Sequence, residues 1–329
     1  LLMDRSETFA RLCVLACDAT DGRDLENLFS KVRDIDDVDE EGKRPLWYAS
    51  MDNPSIDVVK TLLAAQARVN FELVQQATIH NPNPEIAMLL FSRLEPVSQE
   101  QLNLLFLLAA AANTHDILVN FYCSKGADPN TTMPMDLYPE PQSDHDDFID
   151  SDEVWWDDDQ SVEQNALVVA MYENPEPVGM VQALLELGVS PNAVDTEGFP
   201  VLIHALDNKE LVRALVLGGA DIDMYDCNGM TALMHACAAD NNDVVMTLLE
   251  LHADVTLKSS NSETALHFAL GCHLYENAVV IKALLAAGCD VNQSDGDGLL
   301  PLDIARINYC SQEIISILEQ AGAVMGDVS

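Results

Sequence analysis

Asp226-Cys227-Asn228-Gly229-Met230-Thr231-Ala232-Leu233-Met234-His235-Ala236 opens a unit that returns in variant form about every 34 residues. The corresponding leucines are Leu167, Leu202, Leu233, Leu266 and Leu302. After each comes an apolar stretch with paired leucines, as at Leu184-Leu185, Leu248-Leu249 and Leu284-Leu285. A turn tail then closes the unit: Gly126-Ala127-Asp128-Pro129-Asn130, Gly188-Val189-Ser190-Pro191-Asn192, Gly288-Cys289-Asp290-Val291-Asn292. A fixed period in this range marks a repeat architecture, because one such unit cannot bury its apolar face alone and must stack on its neighbours.

Each motif position has a physical role. Thr231 and Thr264 suit helix N-caps, and Pro45 and Pro301 suit a first helical turn that needs no amide donor. The Leu is a core residue. The Ala three residues later (Ala49, Ala170, Ala205, Ala236, Ala269, Ala305) is small enough for adjacent inner helices to approach closely. Val244, Val245, Leu248 and Leu249 have the spacing of a second helix. Gly188, Gly219, Gly288 and Gly322 stand where a helix C-terminus calls for positive φ. Asp-x-x-Gly fits a tight turn leading to the next unit.

The pattern resembles the ankyrin repeat over most of the chain. The resemblance implies an all-α solenoid of helix-turn-helix units joined by β-hairpin-like finger loops, about 8–9 repeats with degenerate and capping units. The expected division is capping helices at 1–36, repeats at 37–130 with a degenerate, truncated second one, an acidic finger-loop insertion at 131–163, and five C-terminal repeats with their cap at 164–329. Departures are visible: Asn165-Ala166 and Pro200-Val201 replace Thr-Pro, Ser259 replaces the finger Asp, and only His267 keeps the family's usual His.

Charge is the second signal. Sixteen basic and 55 acidic residues give −39. Residues 126–329 hold 5 basic against 36 acidic, and 126–208 contain neither Lys nor Arg. Such a surface repels nucleic acid and anionic membrane and favours a cationic partner. The eight cysteines are scattered without a CxxC pair, which reads as reduced thiols in a cytoplasmic setting. No apolar run is long enough for a membrane span, and no secretory leader is visible.

Between Thr131 and Glu163 lie 12 carboxylates, no cation, and the pair Trp155-Trp156 followed by Asp157-Asp158-Asp159. Three readings stand: a solvated loop, a partner-binding flap, or a divalent-cation site that lacks the Gly of an EF-hand loop. The histidines fall in separate repeats, and no nucleophile, phosphate-cradle or zinc spacing appears, so no catalytic residue, metal or cofactor is expected.

By motif position, the resemblance implies that a partner meets the finger tips and the ends of the inner helices. Those positions are Glu40, Glu41, Met51, Asp52, Tyr172, Glu173, Thr196, Glu197, Phe199, Asp207, Asn228, Met230, Glu263, Asp297 and Leu299, joined by Trp155, Trp156 and Asp157–Asp159 from the insertion. The expectation is a non-enzymatic protein that is monomeric before binding. It engages a basic protein through an acidic concave groove and flap. Alternatives are an immunity-type inhibitor of a cationic nucleic-acid-binding protein, or a scaffold in a larger assembly.

Overall fold

A computed structural model describes residues 5–20, 22–29, 31, 34–40, 42–51, 53–94, 96–112, 116–134, 163–271 and 278–326. Among them the helices come in nine consecutive pairs, an inner helix followed by an outer one. They are α1 (Arg5–Asp18) with α2 (Arg23–Phe29), α3 (Pro45–Met51) with α4 (Ile56–Ala64), α5 (Phe71–His80) with α6 (Pro84–Phe91), and α7 (Gln99–Ala112) with α8 (Ile117–Ser124). Next come α9 (Ala166–Glu173) with α10 (Pro177–Glu186), and a 3-10 turn (Ile203–Ala205) with α11 (Lys209–Leu217). The last pairs are α12 (Ala232–Ala238) with α13 (Asn242–Glu250), α14 (Ala265–Gly271) with α15 (Ala278–Ala286), and α16 (Pro301–Ile307) with α17 (Gln312–Gln320).

The chain divides into two compact units. The first holds Leu1–Thr131 and Tyr172–Glu176, the second Thr132–Met171 and Pro177–Ser329. In the first unit α1, α3, α5 and α7 pack in sequence; in the second, α12, α14 and α16 form one row and α11, α13, α15 and α17 another.

Each pair forms for local reasons. Thr231 caps α12 by accepting from the Met234 amide, and Asn241 caps α13 by accepting from Val244. Leu233, Ala236, Val244, Val245 and Leu248 are then all buried. Ala236, fully buried, leaves room for the neighbouring inner helix. The outer helices end in left-handed residues, among them Gly188, Gly219 and Gly288; His252 takes the same conformation at φ 68°.

The finger loops are not β-hairpins, contrary to what the resemblance implied. In the finger at 226–230 the Asp226 amide donates to the Met230 carbonyl and the Gly229 amide to the Asp226 carbonyl. The same two bonds close 39–43, 195–199, 259–263 and 295–299. A second rung fails because the side chain at the first position takes the amide of the fifth: Met230 donates to Asp226 Oδ1, and Phe199 to Asp195 Oδ1. The result is a side-chain-clamped turn, extended by at most the isolated bridge Val194–Pro200. Among the described residues, the paired strands are β1 (Thr132–Pro134) and β2 (Glu163–Asn165), three residues each at the base of the insertion. The repeat solenoid is all-α apart from that short ladder.

Connector length varies with consequence. Residues 218–231, 251–264 and 287–300 give fourteen positions between one outer helix and the next inner helix. Residues 65–70 and 92–98 give only six and seven, too few for a finger. Asn70 caps α5 directly, accepting from the Leu73 amide.

Candidate partner-binding surface

Three fingers of the second unit are laced together through the backbone. The Ser260 amide donates to the Asn228 carbonyl at 3.1 Å, and the Gly296 amide to the Asn261 carbonyl at 2.7 Å. A side chain at Gly229 would come within 2.9 Å of the Ser260 nitrogen, and one at Gly296 within 2.8 Å of the Asn261 oxygen. Glycine is therefore required for close approach, and Gly229 also for its φ of 70°. Ser262 fills the equivalent glycine position at φ 61°.

The finger acids are structural. Asp226 Oδ1 accepts from the amides of Asn228 and Met230, both at 2.8 Å, and Oδ2 lies 2.8 Å from His235 Nε2. Asp195 repeats this with Glu197, Phe199 and His204. Asp295 clamps Asp297 and Leu299, and Ser259 performs the same task through its hydroxyl. In the first finger Asp39 accepts from the Lys43 amide and the Tyr48 hydroxyl. The partner nine positions on is thus His or Tyr in three fingers, a pairing that sequence reading missed although its spacing was visible.

Side-chain oxygens of the turn tails are similarly engaged. Asn192 Oδ1 and Asp223 Oδ1 accept from the amides of Asp221 and Asp254 in the following repeats. Burial raises the pKa of Asp223, while the Thr256 hydroxyl and amide lower that of the exposed Asp254.

The tips present what remains. Thr196, Glu197, Asn228 and Asp297 are exposed, with Phe199, Met230, Glu263 and Leu299 half-buried behind them. The Phe199 ring lies 6.2 Å from that of His235. Asp207 is exposed at the end of its inner turn. In the first unit Glu40 is exposed and Met51 half-buried, and Tyr172 and Glu173 are exposed at the end of α9. Glu41, Asp52, Trp155, Trp156 and Asp157–Asp159 lie outside the described residues.

Cations of the second unit are spent elsewhere. Lys209 pairs with Asp243 at 3.2 Å, Arg213 with Glu250, Lys282 with Glu313 at 3.2 Å and Arg306 with Glu319 at 3.3 Å. Three of these pairs link one outer helix to the next, and the fourth closes the last pair. Only Lys258, exposed in residues 251–264, stands outside this set, and no finger of the second unit contains Lys or Arg.

His267 sits at the family's His position, 2 % exposed. Its Nδ1 accepts from the Thr264 amide at 3.0 Å. Nε2 faces the backbone of Gln293 and Leu299 in the next finger and lacks a hydrogen bond of good geometry. Burial, the largest influence, pushes its pKa down. An unfolded histidine binds a proton near pH 6.5, whereas the buried one resists. Stability is therefore retained above that pH and lost as pH falls from it toward the lowered folded value. His267→Gln should remove a contribution that steepens by at most about 1.4 kcal/mol per pH unit. Urea unfolding of both proteins at pH 7.5, 6.5 and 5.5 checks this; a wild-type-minus-variant difference that ignores pH would refute it.

Among the described residues no group of three or more His, Cys, Asp or Glu is arranged to hold a metal ion. No described helix is long and apolar enough to cross a membrane.

The sequence motif, the helix pairs and the clamped fingers meet in one comparison. Residues 167–259 match the model for ankyrin repeats in three copies, and 261–296 the single ankyrin repeat. Residues 167–296 are ankyrin repeats. The chain is 29% identical over 151 residues to a palmitoyltransferase of Lachancea kluyveri, covering 44% of this chain and 20% of that one. It is 30% identical over 148 residues to a putative ankyrin repeat-containing protein of Treponema pallidum, covering 44% and 48%. Over 94 residues it is 37% identical to an SH3 and multiple ankyrin repeat domains protein of Homo sapiens, covering 27% and 5%. The chain thus spans from a twentieth to about half of these relatives. Ankyrin repeats of this kind are non-catalytic modules for protein–protein interaction.

Proposed function

We propose that the ankyrin repeats bind a basic protein through the fingers of the second unit, with the acidic, Trp-containing insertion at 131–163 adding to the same contact. The observation that carries this reading is the segregation of charge. Four of five cations in 126–329 are tied to carboxylates within or between helix pairs, while the finger tips offer Glu197, Glu263 and Asp297 beside Phe199, Met230 and Leu299. An apolar centre with a charged rim is the make-up of a specific interface, in which charge chiefly speeds encounter and selects partners. The protein acts as a monomer before binding, in a reducing, cytoplasmic compartment. In support, Cys13 and Cys289 are packed thiols whose pKa burial pushes up to about 11.

The test is affinity capture with the intact chain and with Pro134–Gln160 deleted, followed by association kinetics with the captured protein. The on-rate should fall about tenfold between roughly 50 and 500 mM salt, as expected where steering dominates. Glu197→Lys with Asp297→Lys should slow association at low salt and leave helicity intact. A salt-independent on-rate would remove the cationic partner.

A further inference from the structure

The residue after the core leucine of an inner helix is buried in most repeats of the second unit. Val168, Met234 and His267 are each followed by a finger and are 3 %, 1 % and 2 % exposed. Ile203, in the repeat whose inner element is only a 3-10 turn, is half-buried. Trp47 occupies this position in α3, and the connector that follows its repeat is the six-residue 65–70, which builds no finger. Its ring is left half-buried instead of covered.

What the ring takes is shown by the chain itself. The Lys43 ammonium lies over Trp47, 3.7 Å from the ring centroid. Tyr48 meets the same ring edge-on at 5.3 Å, and its hydroxyl donates to Asp39. Glu40 is exposed in the same finger. An aromatic face beside carboxylates is the chemistry that recognises an ammonium group.

We infer that the Trp47 face is a seat for a lysine side chain of the basic partner, held in the unbound protein by Lys43 as an internal competitor. The inference rests on the cationic-partner reading but concerns a separate place, the finger gap of the first unit. Incoming lysine would displace Lys43, whose tether to the Asp39 turn lets its side chain swing aside while the finger stays closed.

The probe is fluorescein-labelled pentalysine, titrated by anisotropy into the full chain at low salt, with labelled pentaglutamate as control. Lys43→Ala removes the competitor and should tighten pentalysine binding about threefold, the size of an exposed cation–π contact. Trp47→Leu should weaken it by a similar factor and abolish the gain from Lys43→Ala, whereas Trp47→Phe, which keeps a ring, should recover part of it. Thermal melts establish that each variant is folded. Lys43→Ala also makes the chain more acidic, so Lys31→Ala serves as the charge-matched control and should tighten binding less.

Equal gains from Lys43→Ala and Lys31→Ala would overturn the seat while leaving the acidic fingers as binder. So would unchanged affinity in a folded Trp47→Leu. No binding of pentalysine to any form would overturn both readings.

Discussion

Asp226→Ala is expected to lower the unfolding free energy of the second unit by about 3 kcal/mol, a large part of what a domain of this size has. The Asp226 side chain is fully buried and accepts two backbone amides and an imidazole. Alanine leaves three donors without a partner, each costing about 1–3 kcal/mol if it stays dry. The sum is not reached, because His235 is part-exposed and water can return to the finger. Asp226→Asn keeps an oxygen for the two amides and should cost about half as much. Asp295→Ala should also cost less, since Ile304 stands where the other Asp-clamped fingers have His or Tyr. Urea unfolding of the full chain followed by circular dichroism measures the loss. Hydrogen exchange at the amides of Asn228 and Met230 locates it. A cost under about 1 kcal/mol would mean that the carboxylate does not hold the finger closed.

The repeat was legible because it is built from positions with one physical demand each. Leu233 must be buried, Ala236 must be small, and Thr231 must cap; a 34-residue period made these stand out. The finger geometry was misread for a related reason. Asp-x-x-Gly signals a tight turn, but whether its arms become a ladder depends on which acceptor wins the fifth amide. Asp226 Oδ1 wins it at 2.8 Å. The same contest changes how the charge is read: Asp39, Asp195, Asp226 and Asp295 clamp turns, and Asp303 caps α16 by accepting from Leu300. Net charge of −39 therefore overstates the carboxylates offered to a partner.

Truncation of the unit at 71–96 was also visible, yet its consequence for Trp47 was not, because exposure depends on what the following connector fails to build. Neither were the asparagine contacts between repeats, which join residues 28 to 64 positions apart and show no periodicity as regular as the leucines.

Those contacts lead to the second large effect, Asn81→Ala, expected to cost about 3 kcal/mol in the first unit. Asn81 is 3 % exposed in the turn between α5 and α6. Its amide nitrogen donates to the carbonyls of Ser50 and Asn53, at 2.9 and 3.1 Å, and its oxygen accepts from the Asn83 amide. Ser50 lies in the last turn of the preceding inner helix, where no intrahelical donor remains, and Asn53 just beyond its end. Asn53 serves α1 in the same manner, donating to Ala16 and Ala19. Asn174, Asn241 and Asn308 do so for Ala110, Leu206 and Leu270. In the second unit this staple is duplicated by bonds between fingers; among the described residues of the first, connector 65–70 builds no finger and contributes the bond from the Arg68 amide to Asp36 Oδ1, so the asparagines carry more of the link between repeats. Asn81→Ala should therefore cost more than Asn241→Ala, which loses one such carbonyl bond and the cap on Val244. Since Asn81 binds the backbone of Asn53, the double variant Asn53→Ala/Asn81→Ala should depart from additivity, as neighbours in one network do. Urea unfolding read at Trp47, with Trp155 and Trp156 replaced by Phe, and by circular dichroism should separate into two transitions as the first unit melts ahead. Coincident transitions with a loss under about 1 kcal/mol would show that apolar packing alone holds these repeats together.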